Sequence, residues 1–151
     1  SYDEARIKDN ARSCVLRIGS GTGSILLPGD IQSKAEFDLL SVHRGALAAD
    51  VLVAPHHGSR TSSALELVRE VSPKSVIFPV GYRNRFGHPH EEVVERYREQ
   101  GSSMYRTDRD GALTVVFDGA GAIRIEPYRS IYRRYWQTTL GGNPVADAGE
   151  F

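Results

Sequence analysis

Three stretches of the chain carry side chains that can do chemistry. Pro28-Gly29-Asp30 leaves a carboxylate just beyond an apolar run. Val53-Ala-Pro-His56-His57-Gly-Ser-Arg-Thr-Ser-Ser63 presents two adjacent imidazoles, then a glycine, hydroxyl residues and an arginine. Val80-Gly-Tyr-Arg-Asn84-Arg-Phe-Gly-His88-Pro-His90 mixes imidazoles and guanidinium groups with aromatics. Imidazole nitrogen and carboxylate oxygen are ligands that zinc and manganese accept. Asp30 and His57, 27 residues apart, would suit such an ion if folding joined them. A metal ion lowers the pKa of bound water and makes hydroxide at neutral pH.

Each stretch also has a plainer reading. Pro-Gly-Asp is a common turn, and an aspartate there often only forms the turn or caps a helix. A His-His pair in a loop can be surface or packing. Gly-His-Pro-His can simply start a helix. On these residues alone the chain is an α/β domain with a candidate metal site.

The elements that must position these groups follow from periodicity. Ser13 to Ile18 and Ser24 to Leu27 read as two strands joined by the glycine-rich turn Gly19–Gly23. Ala35 to His43 has a helical face through Phe37, Leu40 and Leu39. Asp50 to Ala54 is a strand, with Val51-Leu52-Val53 as its buried run. A helix follows, capped by Ser62 or Ser63, with Leu65, Val68 and Val71 as its stripe. Ser75 to Pro79 is another buried strand. Pro89 marks the start of the next helix, which carries Val94 and Tyr97 inward and ends at Gly101. Ser103 to Arg106 is a short strand and Thr107 to Gly111 a turn-rich loop. Ala112 to Phe117 and Ala122 to Glu126 form a hairpin, and Tyr128 to Gln137 a terminal helix that packs through its aromatics. The first 11 residues read as loop and residues 138–151 as a disordered tail. The order β-β-α-β-α-β-α-β, then hairpin and helix, predicts a mixed α/β (α+β) sheet covered by helices. Asp30, His56-His57 and the Asn84/His88/His90 loop then sit at strand ends, where ligands of such sheets collect.

With 151 residues the chain can build a core, and 40% apolar against 25% charged residues is ordinary for a globular domain. A formal net charge of zero removes any global pull toward nucleic acid. Arg60, Arg83, Arg85, Arg106 and Arg109 still fall in rim loops and predict a local basic lip. Cys14, the single cysteine, excludes an intrachain disulfide and reads as a core residue of the first strand. No apolar run reaches the roughly 18 residues of a membrane span.

Taken together and in order, Ser-Cys-Val-Leu-Arg-Ile, Ile-Leu-Leu-Pro-Gly-Asp30, Ala-Asp50-Val-Leu-Val-Ala-Pro-His-His-Gly-Ser-Arg-Thr-Ser-Ser, Gly81-Tyr-Arg-Asn-Arg-Phe-Gly-His-Pro-His90 and Arg106-Thr-Asp-Arg-Asp-Gly111 are far more specific than any one of them. The pattern resembles the C-terminal half of the metallo-β-lactamase-like domain of the ComEC family, the inner-membrane DNA-internalisation proteins of natural transformation. It covers roughly residues 10–117.

The resemblance implies the second half of an αββα sandwich, spanning residues 1–137. It implies a site for two divalent ions, zinc or manganese, that hydrolyses phosphodiesters and degrades the DNA strand that is not transported. Asp30 matches the metal-bridging aspartate, and one of the His pair the last ligand histidine. His57 is the favoured ligand and His56 its catalytic neighbour. His88 matches a histidine that contacts phosphate or protonates the leaving oxygen. Ser59, Arg60, Asn84 and His90 would face substrate. The implied partners are single-stranded DNA and the transmembrane channel portion of the same polypeptide, in a bacterial inner membrane.

One departure is plain. The superfamily's His-x-His-x-Asp-His signature is absent from the chain, whose five histidines are His43, His56, His57, His88 and His90. The chain is therefore expected to be a fragment that binds metal weakly or not at all and is inactive alone. Its open core face would be covered by dimerisation or edge pairing. Two other functions share the motifs: a phosphoesterase acting on a non-nucleic substrate, and a DNA-guiding module without catalysis.

Overall fold

The computed structural model describes residues 12–132. Seven strands and five helices follow one another as β1 (Leu16–Ser20), β2 (Gly23–Leu27), α1 (Ser33–His43), β3 (Val51–Val53), α2 (Leu65–Val71), β4 (Ser75–Phe78), α3 (Glu91–Glu99), β5 (Ser103–Arg106), α4 (Thr107–Asp110), β6 (Leu113–Phe117), β7 (Ile123–Pro127) and α5 (Tyr128–Ile131). The first five strands make one mixed sheet in sequence order, and β6 and β7 pair as a separate hairpin. Within the five-stranded sheet only β1 runs antiparallel to its neighbour, and β6 and β7 are antiparallel to each other. Strands β2 to β5 are parallel. Because they run the same way, their C-terminal ends share one edge of the sheet, so the three polar loops meet there.

Register sets what the sheet buries. Leu26, Leu52, Val76 and Met104 lie side by side across β2 to β5. Leu40 of α1, Leu67, Val68 and Val71 of α2, and Val93, Val94 and Tyr97 of α3 pack with that row in a single apolar cluster. Burial of this kind is the main stabilising term, roughly 25 cal/mol per Å² of apolar surface. Asp50 ties β2 to β3: its carboxylate accepts from the backbone N–H (2.9 Å) and the hydroxyl (3.0 Å) of Ser24. The Lys74 ammonium beside it, at 2.9 Å, holds that carboxyl below its ordinary range.

Strand β1 is the edge, and all five of its residues are exposed, Leu16 and Ile18 each by about half. Cys14 is exposed as well, which corrects its assignment to the core. It precedes β1 rather than lying in it.

Several local expectations change for equally physical reasons. In α1 it is Glu36, not Phe37, that joins Leu40 in the interior. Neither Ser62 nor Ser63 caps α2, whose N-cap is Ala64 without a side-chain bond. The Glu36 carboxylate instead holds the two residues just before the helix, accepting from Ser63 N (2.6 Å) and Ala64 N (2.7 Å). Pro89 lies two residues before α3, and His90 is the N-cap. The loop after β5 closes into the helical turn α4 around Arg106, whose guanidinium forks onto Asp108. The hairpin is as expected. The terminal helix starts at Tyr128 as expected but ends at Ile131, with Tyr132 as its C-cap, and residues 133–137 of the expected helix, like the expected loop at residues 1–11 and tail at 138–151, lie outside the described residues. Among the described residues no helix is long and apolar enough to cross a membrane.

Candidate metal and phosphate site

The centre of the site is the turn Pro55–Gly58, which follows β3. His56 and His57 both adopt positive φ, 46° and 59°, a conformation uncommon outside glycine. Such strain persists only where the surroundings hold it. Here they do so from several sides. His56 N donates to Gly29 O at 3.0 Å, joining the turn to the loop that carries Asp30. His90 N donates to Gly58 O at 3.0 Å, joining it to the loop after β4. The Ser62 hydroxyl reaches back to Pro55 O (2.8 Å) and Ser59 O (2.9 Å). Gly58 has φ +80°, and a Cβ there would lie 2.7 Å from Pro89 Cβ and 2.9 Å from Phe78 Cδ1. Only glycine lets the turn pass between them.

The far end of the loop is clamped just as firmly. Besides the two Glu36 bonds, Arg96 Nη1 donates to Ser62 O (3.2 Å) and Ser63 O (2.8 Å). The Tyr97 hydroxyl donates to Ser63 Oγ at 3.0 Å. Burial pushes the Glu36 carboxyl above its ordinary value, against the opposing pull of the Ala64 and Ser63 N–H groups and the Arg96 charge.

These constraints aim the rings. His57 Nδ1 lies 2.9 Å from Pro79 O. A carbonyl only accepts, so Nδ1 carries the hydrogen, and in neutral imidazole that leaves the lone pair on Nε2. Nε2 faces Asp30 Oδ1 at 3.4 Å, with both side chains about half exposed. An acceptor facing an acceptor is unfavourable unless a proton or cation lies between them. The separation matches two ligands on adjacent corners of one tetrahedral ion, about 3.3 Å apart for metal–ligand distances near 2.0–2.1 Å. A backbone carbonyl on the remote nitrogen is also how ligand histidines are commonly oriented. The pair therefore fits a divalent cation. Among the described residues no three or more His, Cys, Asp or Glu side chains converge as a complete metal centre.

The other imidazoles stand around this pair. His88 lies 6.0 Å from His56, 6.5 Å from His57 and 5.3 Å from His90, between ring centroids. Partial burial, then the neighbouring charges of His90, His56 and His57, hold the His88 imidazole below its ordinary pKa. Phe86 stacks on His88 with ring centroids 5.8 Å apart. An open cavity of about 230 Å³ is lined by His57, Pro79, Gly81, Asn84, Phe86 and His88 among others.

No family model matches the chain. Curated proteins do. Competence protein ComA of Neisseria gonorrhoeae is 39% identical over 135 residues, which are 89% of this chain and 19% of that protein. Recombination protein 2 of Haemophilus influenzae is 36% identical over 133 residues, 88% of this chain and 16% of its own. ComE operon protein 3 of Bacillus subtilis is 34% identical over 104 residues, 69% of this chain and 13% of its own. The chain is homologous to a segment of these competence proteins. It spans less than a fifth of the length of each.

In this competence-protein homologue the structure brings Asp30, His56, His57, His88 and His90 to one rim, because β2 to β4 run parallel. It places the remaining expected residues differently. Ser59 is turned inward, its hydroxyl 3.2 Å from that of Thr61. Arg60 pairs with Glu92 at 2.7 Å. The Asn84 amide closes its own loop, donating to His88 O and accepting from His88 N, both at 2.8 Å. The basic lip contracts too, since Arg106 is spent on Asp108 at 2.8 Å. Pro79 O, Glu36, Arg96 and Gln32, whose amide lies 3.4 Å from His56 Nδ1, were not legible as site residues. A backbone carbonyl leaves no signal in side-chain types. Glu36 reads as one more polar residue on a surface helix.

Proposed function

We propose that the competence-protein homologue contributes the Asp30–His57 corner of a metal-dependent phosphodiesterase site of the ComEC type, the second half of a metallo-β-lactamase-like domain, acting on DNA during uptake. The observation that carries this reading is the 3.4 Å approach of His57 Nε2 to Asp30 Oδ1, with Nδ1 held by Pro79 O. Asp30 and His57 would hold a divalent ion, zinc or manganese, and the ion would supply hydroxide at neutral pH. Further ligands must come from outside this pair, because catalytic zinc ordinarily takes three protein ligands.

The chain's own residues divide the remaining work. His88, kept neutral by its surroundings, offers a ring N–H to a phosphate or leaving-group oxygen. His56 stands beside the pair, fixed against Gln32. His90 and Asn84 set the wall on which phosphate would lie, and Arg60 borders it. The whole protein would act next to a transmembrane portion of the same polypeptide and receive one DNA strand.

The test uses the protein expressed at the full length its gene encodes. With Mn²⁺ or Zn²⁺, cleavage of a labelled oligonucleotide and metal content by mass spectrometry are measured together. Asp30→Asn and His57→Ala are each expected to lose bound metal and at least about 100-fold in rate, the order lost when a ligand or its support is removed. Variants that keep both metal and rate would overturn the assignment.

A further inference from the structure

The loop between β4 and α3 contains a feature that the hydrolytic reading does not use. Tyr82 and Phe86 are 61% and 63% exposed, among the most exposed large apolar side chains described. Each has an arginine over its ring: Arg83 lies 5.2 Å from the Tyr82 centroid and Arg85 5.0 Å from that of Phe86. Residues 80–90 contain no aspartate or glutamate. Among the described residues neither Arg83 nor Arg85 forms an ion pair, unlike Arg60, Arg98, Arg106 and Arg124. Flat apolar rings beside unneutralised guanidinium groups are what unpaired nucleic acid requires, a stacking face for the base and a cation for the phosphate.

The loop is also held in shape. Asn84 N donates to Gly81 O at 3.2 Å, Gly87 N to Asn84 O at 3.4 Å, and the Asn84 amide binds both backbone groups of His88. The backbone that carries the two exposed rings on either side of one asparagine is thereby held, so the loop itself needs little ordering on binding. Phe86, His88 and His57 form a row of nearly parallel rings, 24° and 19° apart, that leads from the loop to Asp30.

We infer that Tyr82 and Phe86 form a stacking platform for unpaired nucleotide bases, with Arg83 and Arg85 on the adjoining phosphates, which presents a single strand to the Asp30–His57 corner. This rests on the phosphodiesterase reading for the identity of the site it serves, but the binding itself needs neither metal nor cleavage. A duplex keeps its base faces stacked internally, so the platform selects single strands.

The experiment measures fluorescence anisotropy of the 151-residue chain in EDTA with three labelled probes. These are a short oligothymidylate, an abasic strand of the same length and a duplex. The expected order is oligothymidylate tightest, with the abasic strand and the duplex weaker. Tyr82→Ala and Phe86→Ala together should weaken oligothymidylate binding about tenfold or more and leave abasic binding unchanged. Phe86→Trp, which keeps a larger ring, should bind at least as well as the parent. Equal affinity for the oligothymidylate and abasic strands, no binding of either, or a double alanine variant that binds like the parent would each overturn the platform. A full-length protein that shows this stacking yet does not cleave the oligonucleotide with Mn²⁺ or Zn²⁺ would count against the phosphodiesterase reading alone.

Discussion

His57 Nε2 lies 3.4 Å from Asp30 Oδ1, although the two residues belong to loops that follow different strands. The approach depends on a third group, Pro79 O, which fixes the opposite nitrogen of the imidazole at 2.9 Å. A strand end, a strained turn and a backbone carbonyl from a third loop together decide where one lone pair points.

That relationship predicts a tautomer. Neutral His57 should carry its hydrogen on Nδ1, which two-dimensional ¹H–¹⁵N correlation of the ring reads directly. Added Zn²⁺ should shift the Nε2 resonance of His57 before that of His43, which lies on α1. An Nε2–H tautomer would break the link between Pro79 and the metal.

The turn itself predicts a stability difference between two glycines. Gly58→Ala forces a side chain to within 2.7 Å of Pro89 Cβ at φ +80°. It should cost about 2–5 kcal/mol, a left-handed backbone penalty plus overpacking. At Gly45, with φ +84° and nothing within 4 Å, only the backbone part remains, about 1–2 kcal/mol. Urea unfolding of both variants separates the contributions, and equal losses would mean that the Pro89–Phe78 contact is unimportant.

Glu36 gives a prediction with a pH sign. Glu36→Gln replaces the titrating carboxyl that faces the Ser63 and Ala64 N–H groups with a neutral amide of the same size. Burial raises the carboxyl above 4.5 in the fold, so its contribution is fully present below 4.5 and is lost as pH rises through the folded value. The stability margin of the parent over Glu36→Gln should therefore be widest in acid and narrow toward neutrality. A margin that grows with pH would mean that the two N–H groups and Arg96 outweigh burial.

His88 has the opposite sign. Burial and three neighbouring imidazoles depress its pKa, so its ring proton should titrate below 6.5 in an NMR pH series. Its contribution to stability is present above 6.5 and is lost as pH falls through the lowered folded value. Replacing His90, its nearest ring at 5.3 Å, with Gln should move that midpoint upward.

Much of this site could be read from the chain because its signals are local. Alternating apolar runs gave the strands, and Asp30, His56-His57 and His88 fell at strand ends because polar residues follow each run. Gly101 marked the end of α3 through the positive φ it adopts, +81°. Local signals also misled where a distant partner decided the outcome. Ser62 and Ser63 have the right chemistry to cap α2, but the Ser62 hydroxyl turns to Pro55 O and Ser59 O and that of Ser63 accepts from Tyr97, 34 residues further on. Cys14 has the chemistry of a core residue, yet it stands exposed before an edge strand.

The sequence by itself determined the order of strands and helices, and which side chains would stand at strand ends. Both follow from periodicity and turn chemistry within a few residues. Only the tertiary structure decided that β2 to β5 run parallel in sequence order, which puts all their C-terminal ends on one edge. It also decided that Pro79 O would turn His57 toward Asp30, that Arg60 and Arg106 would be neutralised, and that Tyr82 and Phe86 would stay in solvent. Each of these depends on contacts between residues far apart in the chain, and such contacts exist only once the sheet has brought the loops together.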